Sequence, residues 1–388
     1  MNSWRRLTAV AIAAVAMVGC NGSTEPSSIP IGSSRFPLLT DEGGRVLSPL
    51  RLVVVAAAND DLRDSLFTFG KALATSQWWK DVSAPYRISP TATAVSVVGP
   101  AISPGTIPLA EVTAYVQRTA IDSAGFAPDG RTVYLVYLPP GVRCSGGSCD
   151  KYTAFHVPFG STDALAVITR NQPGVPPMLA MTFLGSHEVI EAATDPLFDA
   201  WRLNSSLQPW NATPWGLDDE GTFSESADLC DGTRYLEGGF FYRRVFSNQA
   251  AVLGGDPCVP ALPTPYYNVT TDKGWYATVT GEVDVPITGW SVGSLGDWVA
   301  VVGAGIHTPS LSAPALSLSC ADSVAIAGHR YCAINNGKRA TVHVSLPAGA
   351  KSKTFFAVRI YSLLSDANGV TPAGEDFSHH WIFGVYVP

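Results

Sequence analysis

Charge is scarce in this chain. Only 15% of its 388 residues are Asp, Glu, Lys or Arg, against a usual share of about 25%. What charge there is leans acidic: 32 acidic residues face 25 basic ones, for a net charge of -7. The basic surplus that counterion release from a polyanion demands is missing, so nucleic acid is not an expected partner. Beyond the N-terminus no apolar run is long enough to cross a bilayer. Internal repeats and low-complexity runs are absent after residue 35. No G-x-S-x-G elbow, Walker loop or dinucleotide fingerprint stands between a strand and a helix, which removes the usual signatures of serine hydrolases, nucleotide hydrolases and nicotinamide enzymes. In their place are 46% hydrophobic residues, 36 Gly and 29 Pro. Such a chain buries enough surface to offset its ordering entropy. Its length suits two domains, or one large one, at ~100 to 200 residues each.

Residues 1–20 read as an export signal, with Arg5 and Arg6 before an apolar run over residues 7–18. At ~1.5 Å per residue that run covers roughly 18 Å of a hydrocarbon core ~30 Å thick, too little for a permanent span. Met17-Val18-Gly19-Cys20 resembles a bacterial lipobox, with Met where Leu is usual. It implies lipidation of Cys20 and a cell-envelope location with the lipid as the only membrane anchor. Plain signal-peptidase cleavage, and hence secretion, is the alternative. Residues 21–35, rich in Gly, Ser and Pro, form a flexible tether. With Cys20 lipidated, six cysteines remain to pair in an oxidising compartment. Proximity favours Cys144 with Cys149, Cys230 with Cys258, and Cys320 with Cys332. A zinc site at Cys144 and Cys149 is the rival, but no second Cys or His pair follows at ribbon spacing.

Strand and helix patterns alternate over residues 51–193, the signature of an α/β layer, within a domain expected to span residues 36–262. Strands are predicted over residues 52–57, 94–98, 133–138 and 164–169. Asn59 is the expected cap of a helix bearing Leu62, Leu66, Phe69 and Leu73, and Pro108 opens another. Pro260, Pro263 and Pro265 mark a linker. Residues 263–388 then read as an all-β sandwich with strands at 276–285, 298–303, 340–346, 354–362 and 381–387. Trp275, Trp290, Trp298 and Trp381 suit core packing, with a platform for a cell-envelope glycan as the other use of such residues.

The helix predicted over residues 178–194 carries the chemistry. Leu179, Phe183 and Ile190 define its apolar face. His187, Glu191 and Asp195 recur at i, i+4 and i+8 in a stripe expected to face a cleft wall, and Pro196 ends the helix. His187-Glu188-Val189-Ile190-Glu191 has the spacing of the zinc-protease motif H-E-x-x-H with Glu at the second ligand position. A carboxylate there can still bind zinc, and Glu188 is placed for a general base. Carboxylate-rich coordination also suits calcium or manganese. His379 and His380 are neighbours on a strand and face opposite ways, so they are not read as a metal pair.

The wider block Gly185-Ser-His-Glu-Val-Ile-Glu-Ala-Ala-Thr-Asp-Pro196, then Trp201, then Glu225-Ser-Ala-Asp-Leu-Cys230, resembles the Exordium, or phosphate-induced, protein family and its bacterial relatives. Cys149 followed by Phe155-His156, and Phe246-Ser247-Asn248 leading to Cys258-Val259-Pro260, extend the resemblance over roughly residues 36–262. Ser226 departs from the family's usual Ile. The resemblance implies an extracellular protein with a zincin-like constellation. His187 and Glu191 are then expected to be metal ligands and Glu188 the base. Asp195 and Asp228 compete for the third ligand position. Glu225 is expected behind the ligands, fixing the tautomer of His187, and His156 either reaches the cleft as ligand or transition-state donor or is a satisfied core histidine. Hydrolysis of a peptide or protein substrate is the leading expectation. A non-catalytic envelope protein holding a structural ion, or only a hydrogen-bond network, is the alternative. Paired carboxylates for glycoside hydrolysis can also be drawn from Glu188, Glu191, Glu225 and Asp228.

Overall fold

The computed structural model describes residues 36, 38–170, 174–203, 225–230, 233–263, 265–307, 312–326, 328–364 and 379–388. The predicted export signal and tether, with Cys20, lie outside the described residues. The first layer is a five-stranded sheet in the order Thr93–Gly99, Arg51–Ala57, Thr132–Tyr137, Asp163–Ile168, Ala154–Phe159. Its first four strands are parallel, and the last is an antiparallel edge. Central parallel strands are covered on both faces, which is why residues 52–57 and 132–137 are buried throughout and read as unbroken apolar runs. The strand pattern does not predict this edge strand, since its six residues include His156 and Pro158, and Pro belongs on an edge. It matters because it carries His156.

Helices cover both faces. On one face α1 (Arg63–Thr75), α2 (Gln77–Ser83) and, later in the chain, α4 (Pro177–Thr194) join the core around Leu52, Val54 and Leu135. On the other, α3 (Leu109–Val116) packs on Val53, Val55 and Val136. Asn59 does not cap α1. Its side chain bonds both backbone polar groups of Ile102, and Asp60 receives the N–H of Leu62, the residue at the helix N-terminus. A side chain can serve one of these turns only, and the loop at Ile102 claims Asn59. Leu66, Phe69 and Leu73 are fully buried as expected. At ~1.5 to 3 kcal/mol each they outweigh a missing cap worth ~1 kcal/mol.

The C-terminal part consists of a four-stranded and a six-stranded sheet whose inner faces share one buried cluster, including Val285, Ile287, Val342, Ala357, Ile360 and Phe383. The strand predicted over 276–285 is two. Trp275–Ala277 joins the six-stranded sheet and Glu282–Ser291 the four-stranded one, with Gly281 at φ +84° in the turn between them. Trp290, Trp298 and Trp381 are buried and serve packing, while Trp275 lies over Gly384, where a Cβ would come within 2.2 Å of the indole. The cluster is continuous with the α/β part. Phe36 sits between them, its ring 5.8 Å from Trp290, 5.2 Å from Trp381 and 6.1 Å from Phe246. On the solvent face Ser319, His343 and Asp284 line up across three strands at 2.7 and 2.6 Å. The order is that of a hydrolase triad, but Asp284 and His343 are 71% and 42% exposed. Hydrated pairs of this kind contribute at most ~1 kcal/mol, and we read them as a cross-strand ladder that supports register. All three expected disulfides are present, so Cys144 and Cys149 hold each other and not zinc.

The seating of α4 depends on Gly185. A Cβ there would lie 2.3 Å from the Tyr137 hydroxyl and 3.4 Å from Phe69, both fully buried. Gly185→Ala gains ~1 kcal/mol of helix propensity and incurs ~1 to 3 kcal/mol of overpacking. A lower urea midpoint is the expected outcome, and an unchanged or higher one would show that Tyr137 can yield.

Candidate metal centre

The second half of α4 is buried on nearly every side, and of the predicted apolar face Ile190 is buried while Leu179 and Phe183 are only half-buried. This is a central helix, flanked by the sheet on one side and the hairpin Arg234–Glu237/Phe240–Arg243 on another. Arg243 donates its backbone N–H to Ser186 at 2.8 Å and its guanidinium stands over Phe183, which accounts for that ring's position. The stripe expected to face a cleft wall is therefore enclosed. Glu188 and Glu191 are 4% and 3% exposed, and the His187 side chain 14%. A groove lined by Met178, Leu179, Thr182, Phe240 and Phe241 flanks the first turns of α4. None of the carboxylates around His187 is among its lining residues.

Three side chains converge at the His187 ring. Nε2 is 2.8 Å from Glu191 Oε2, 3.4 Å from Asp228 Oδ1 and 3.8 Å from Glu188 Oε1. Asp228 comes from the loop 225–230, which Cys230–Cys258 ties to the strand pair Val245–Phe246/Cys258–Val259. The loop is also sewn to the helix. Ala227 N–H donates to Glu191 Oε1 at 3.1 Å, and Glu225 N–H donates to Asp228 Oδ2 at 3.0 Å. Each of these carboxylates thus spends one oxygen on the loop backbone and turns the other to His187.

Asp195, the rival for the third ligand position, does other work. Its Oδ1 accepts from the N–H groups of Asp199 and Ala200, both at 2.7 Å, closing the turn after α4. Glu225 does not reach His187 in the way expected. Its Oε1 lies 3.6 Å from His156 Nε2. His156, 5% exposed, joins the cluster from the edge strand with Nδ1 3.5 Å from Glu188 Oε2. Its Nε2 is 3.4 Å from the Asp195 carbonyl and its ring packs on Phe198. Phe198, the Ala227 N–H and Arg243 were not foreseen. The Asp-Pro before Phe198 is the one sequence signal that marks its turn.

The electrostatics follow from burying four carboxylates with two imidazoles. Burial, then the charge of Asp228, raises the Glu191 carboxyl to about 7 despite His187. Burial and the surrounding carboxylates hold Glu225 well above the ordinary Glu range. Burial also works against Asp228, but hydrogen bonding and charge from His187 outweigh it and leave that carboxyl low. Burial disfavours protonated His187, and Glu191, Glu188 and Asp228 overcome it and raise its pKa well above the usual value. For His156 burial is likewise overcome, chiefly by Glu188.

Raised groups bind protons more tightly in the folded state. The contribution of Glu191 to stability is thus fully present below its unfolded value near 4.5 and is lost as pH rises through about 7. Glu225, His156 and His187 act in the same sense, and Asp228 in the opposite one below its ordinary range. The metal-free protein is expected to have a lower urea midpoint at pH 8 than at pH 5, with a divalent cation flattening the slope. A midpoint that rises with pH in chelator would contradict this.

Two groups of ligand atoms could hold a metal ion: His156, Glu188 and Glu191, and His187, Glu191 and Asp228. Donors ~2.0 to 2.1 Å from a tetrahedral ion lie roughly 3.3 Å apart. The 3.4 Å between His187 and Asp228 fits that spacing, whereas the 2.8 Å to Glu191 is the distance of a direct hydrogen bond. Glu225 Oε1, buried and with no hydrogen-bond partner among the described residues, fits a cluster that awaits a cation.

No family model and no curated protein matches the chain. Among solved structures it is similar to a family 123 glycoside hydrolase from Clostridium perfringens at 10% identity and a TM-score of 0.22, over 32% of this chain and 27% of that one. A likeness that slight carries no argument.

Proposed function

We propose that the protein is an exported metal-dependent hydrolase of peptide bonds, held to the cell envelope by lipid on Cys20 and related to the Exordium family. The observation that carries the reading is the convergence of His187 Nε2, Glu191 Oε2 and Asp228 Oδ1, one imidazole and two carboxylates, each carboxylate anchored through its second oxygen. Such a donor set suits zinc, with manganese or calcium as alternatives. When bound, the ion supplies Lewis acidity toward a carbonyl and toward water.

The remaining tasks fall to the chain. Glu188 presents Oε1 to the His187 side of the cluster, where it can accept a proton. His156, against its other oxygen, holds the carboxylate in that orientation. The modest exposure of His187 and Asp228 marks the side from which a substrate can approach. Glu188→Gln is expected to retain the ion bound by His187, Glu191 and Asp228 and to lose ~10²- to 10⁴-fold in the rate of cleaving a mixed peptide library. Equal rates in the variant and the wild type would remove Glu188 from catalysis.

A non-catalytic reading has its own support in the burial of Glu188, Glu191 and Glu225. Structural zinc sites are closed, whereas catalytic ones keep a position for water. The absorption spectrum of the cobalt-substituted protein, with and without an added hydroxamate, separates the two: a spectral change means an open position.

A further inference from the structure

We infer that the cluster contains a second divalent-cation site, formed by His156, Glu188 and Glu191, beside the one at His187, Glu191 and Asp228. The inference rests on the proposed reading for the first site and adds a regulatory consequence to it. Donor atoms from these three residues lie within 4.8 Å of one another. The ligands come from separate elements, His156 from the edge strand and the two glutamates from α4. An unpartnered buried oxygen stands at the same imidazole: Glu225 Oε1, on a side chain 5% exposed, has no hydrogen-bond partner among the described residues and lies 3.6 Å from Nε2, the ring nitrogen across from the Nδ1 that faces Glu188.

Charge supports two ions over one. With both imidazoles neutral and Glu225 holding its proton, Glu188, Glu191 and Asp228 place three negative charges in a largely buried space, and one divalent ion leaves part of that charge uncompensated. A second ion compensates the remainder. Buried charge left uncompensated costs several kcal/mol, so the second ion has a driving force of its own. Repulsion from the first ion makes it the weaker binder.

Glu188 links the two sites. Its Oε1 lies 3.8 Å from His187 Nε2 and its Oε2 3.5 Å from His156 Nδ1. An ion at the second site occupies the same carboxylate that has to accept the proton. Hydrolysis is expected to rise as the first site fills with zinc and to fall as the second does.

The test is equilibrium dialysis of the exported chain, purified without a histidine tag, against buffered free zinc, with bound zinc counted by plasma mass spectrometry. Wild type is expected to saturate in two steps at two ions per chain, and His156→Ala at one. A wild-type plateau at one ion, unchanged by His156→Ala, overturns the second site and leaves the first intact. No zinc in either protein overturns both. Manganese resonance of the wild type decides the matter even if the variant fails to fold. At two equivalents the six-line signal of isolated Mn²⁺ is expected to be lost to coupling between neighbouring ions, and its persistence at full strength overturns the proposal.

Discussion

Alanine at position 191 is expected to strip the protein of metal and of hydrolytic activity together. Glu191 is the one ligand common to both groups of donor atoms, and its Oε2 makes the shortest contact to His187. Its loss removes a donor from each site. Deleting only an outer partner of a ligand already costs ~10- to 100-fold in metal affinity, so removal of this ligand should exceed that. Alanine also abandons the Ala227 N–H, a buried donor whose desolvation costs ~1 to 3 kcal/mol. Glutamine separates the two effects, because it can still accept from Ala227 while carrying no charge. Metal-free Glu191→Gln should therefore be at least as stable as metal-free wild type at pH 8, where the wild-type carboxylate suffers from burial and from Asp228. Zinc content and urea midpoints of the three proteins measure both arms. Wild-type zinc in Glu191→Ala would end the ligand assignment, and a midpoint for Glu191→Gln well below wild type would end the electrostatic account.

Breaking Cys230–Cys258 is the second large effect. The bridge closes a loop with a sequence separation of 28, worth about 3 to 4 kcal/mol in the chain-entropy view. The bridge also anchors the end of the segment 225–230 that carries Asp228, and Arg244, fully buried, reinforces its Cys258 side through the carbonyls of Cys258 and Pro260 and the carboxylate of Asp256. Cys230→Ala with Cys258→Ala is expected to lower the unfolding free energy by about that amount and to weaken zinc binding. Cys144→Ala with Cys149→Ala is the control. Its bridge spans a separation of 5, worth only about 2 kcal/mol on the same scale, and it holds none of the ligand loop. Equal loss of zinc affinity in both pairs of variants would mean that the loop is not what places Asp228.

The parts legible in the sequence share one property: their geometry is settled by near neighbours. Apolar runs at residues 52–57 and 133–138 had to be buried strands, because nothing polar in them could face water. The i, i+4 spacing of His187 and Glu191 brings the two side chains together on any helix, and Pro196 could only end that helix. Disulfides between cysteines close in sequence followed from short loops. Where a local signal had two outlets it misled, as with Asn59, whose side chain is claimed by the loop at Ile102 and not by the helix beside it.

What decides between Asp195 and Asp228 is not local. Both are acidic residues near the motif, but Asp195 is oriented by the two backbone N–H groups that its Oδ1 accepts at 2.7 Å, and among the described residues it joins neither group of donor atoms that could hold a metal. Asp228 lies 41 residues from His187 and reaches it only because the disulfide and the Glu191–Ala227 hydrogen bond fold its loop onto α4. His156 arrives from an edge strand whose pairing with Asp163–Ile168 is itself a tertiary choice, and Glu225 meets that imidazole and not His187. Sequence alone determined which residue types were available and how one helix would present three of them. The return of two distant segments to that helix decided which carboxylates share its buried space, since a charge out of water is governed by whatever stands within a few ångströms of it, however far away along the chain.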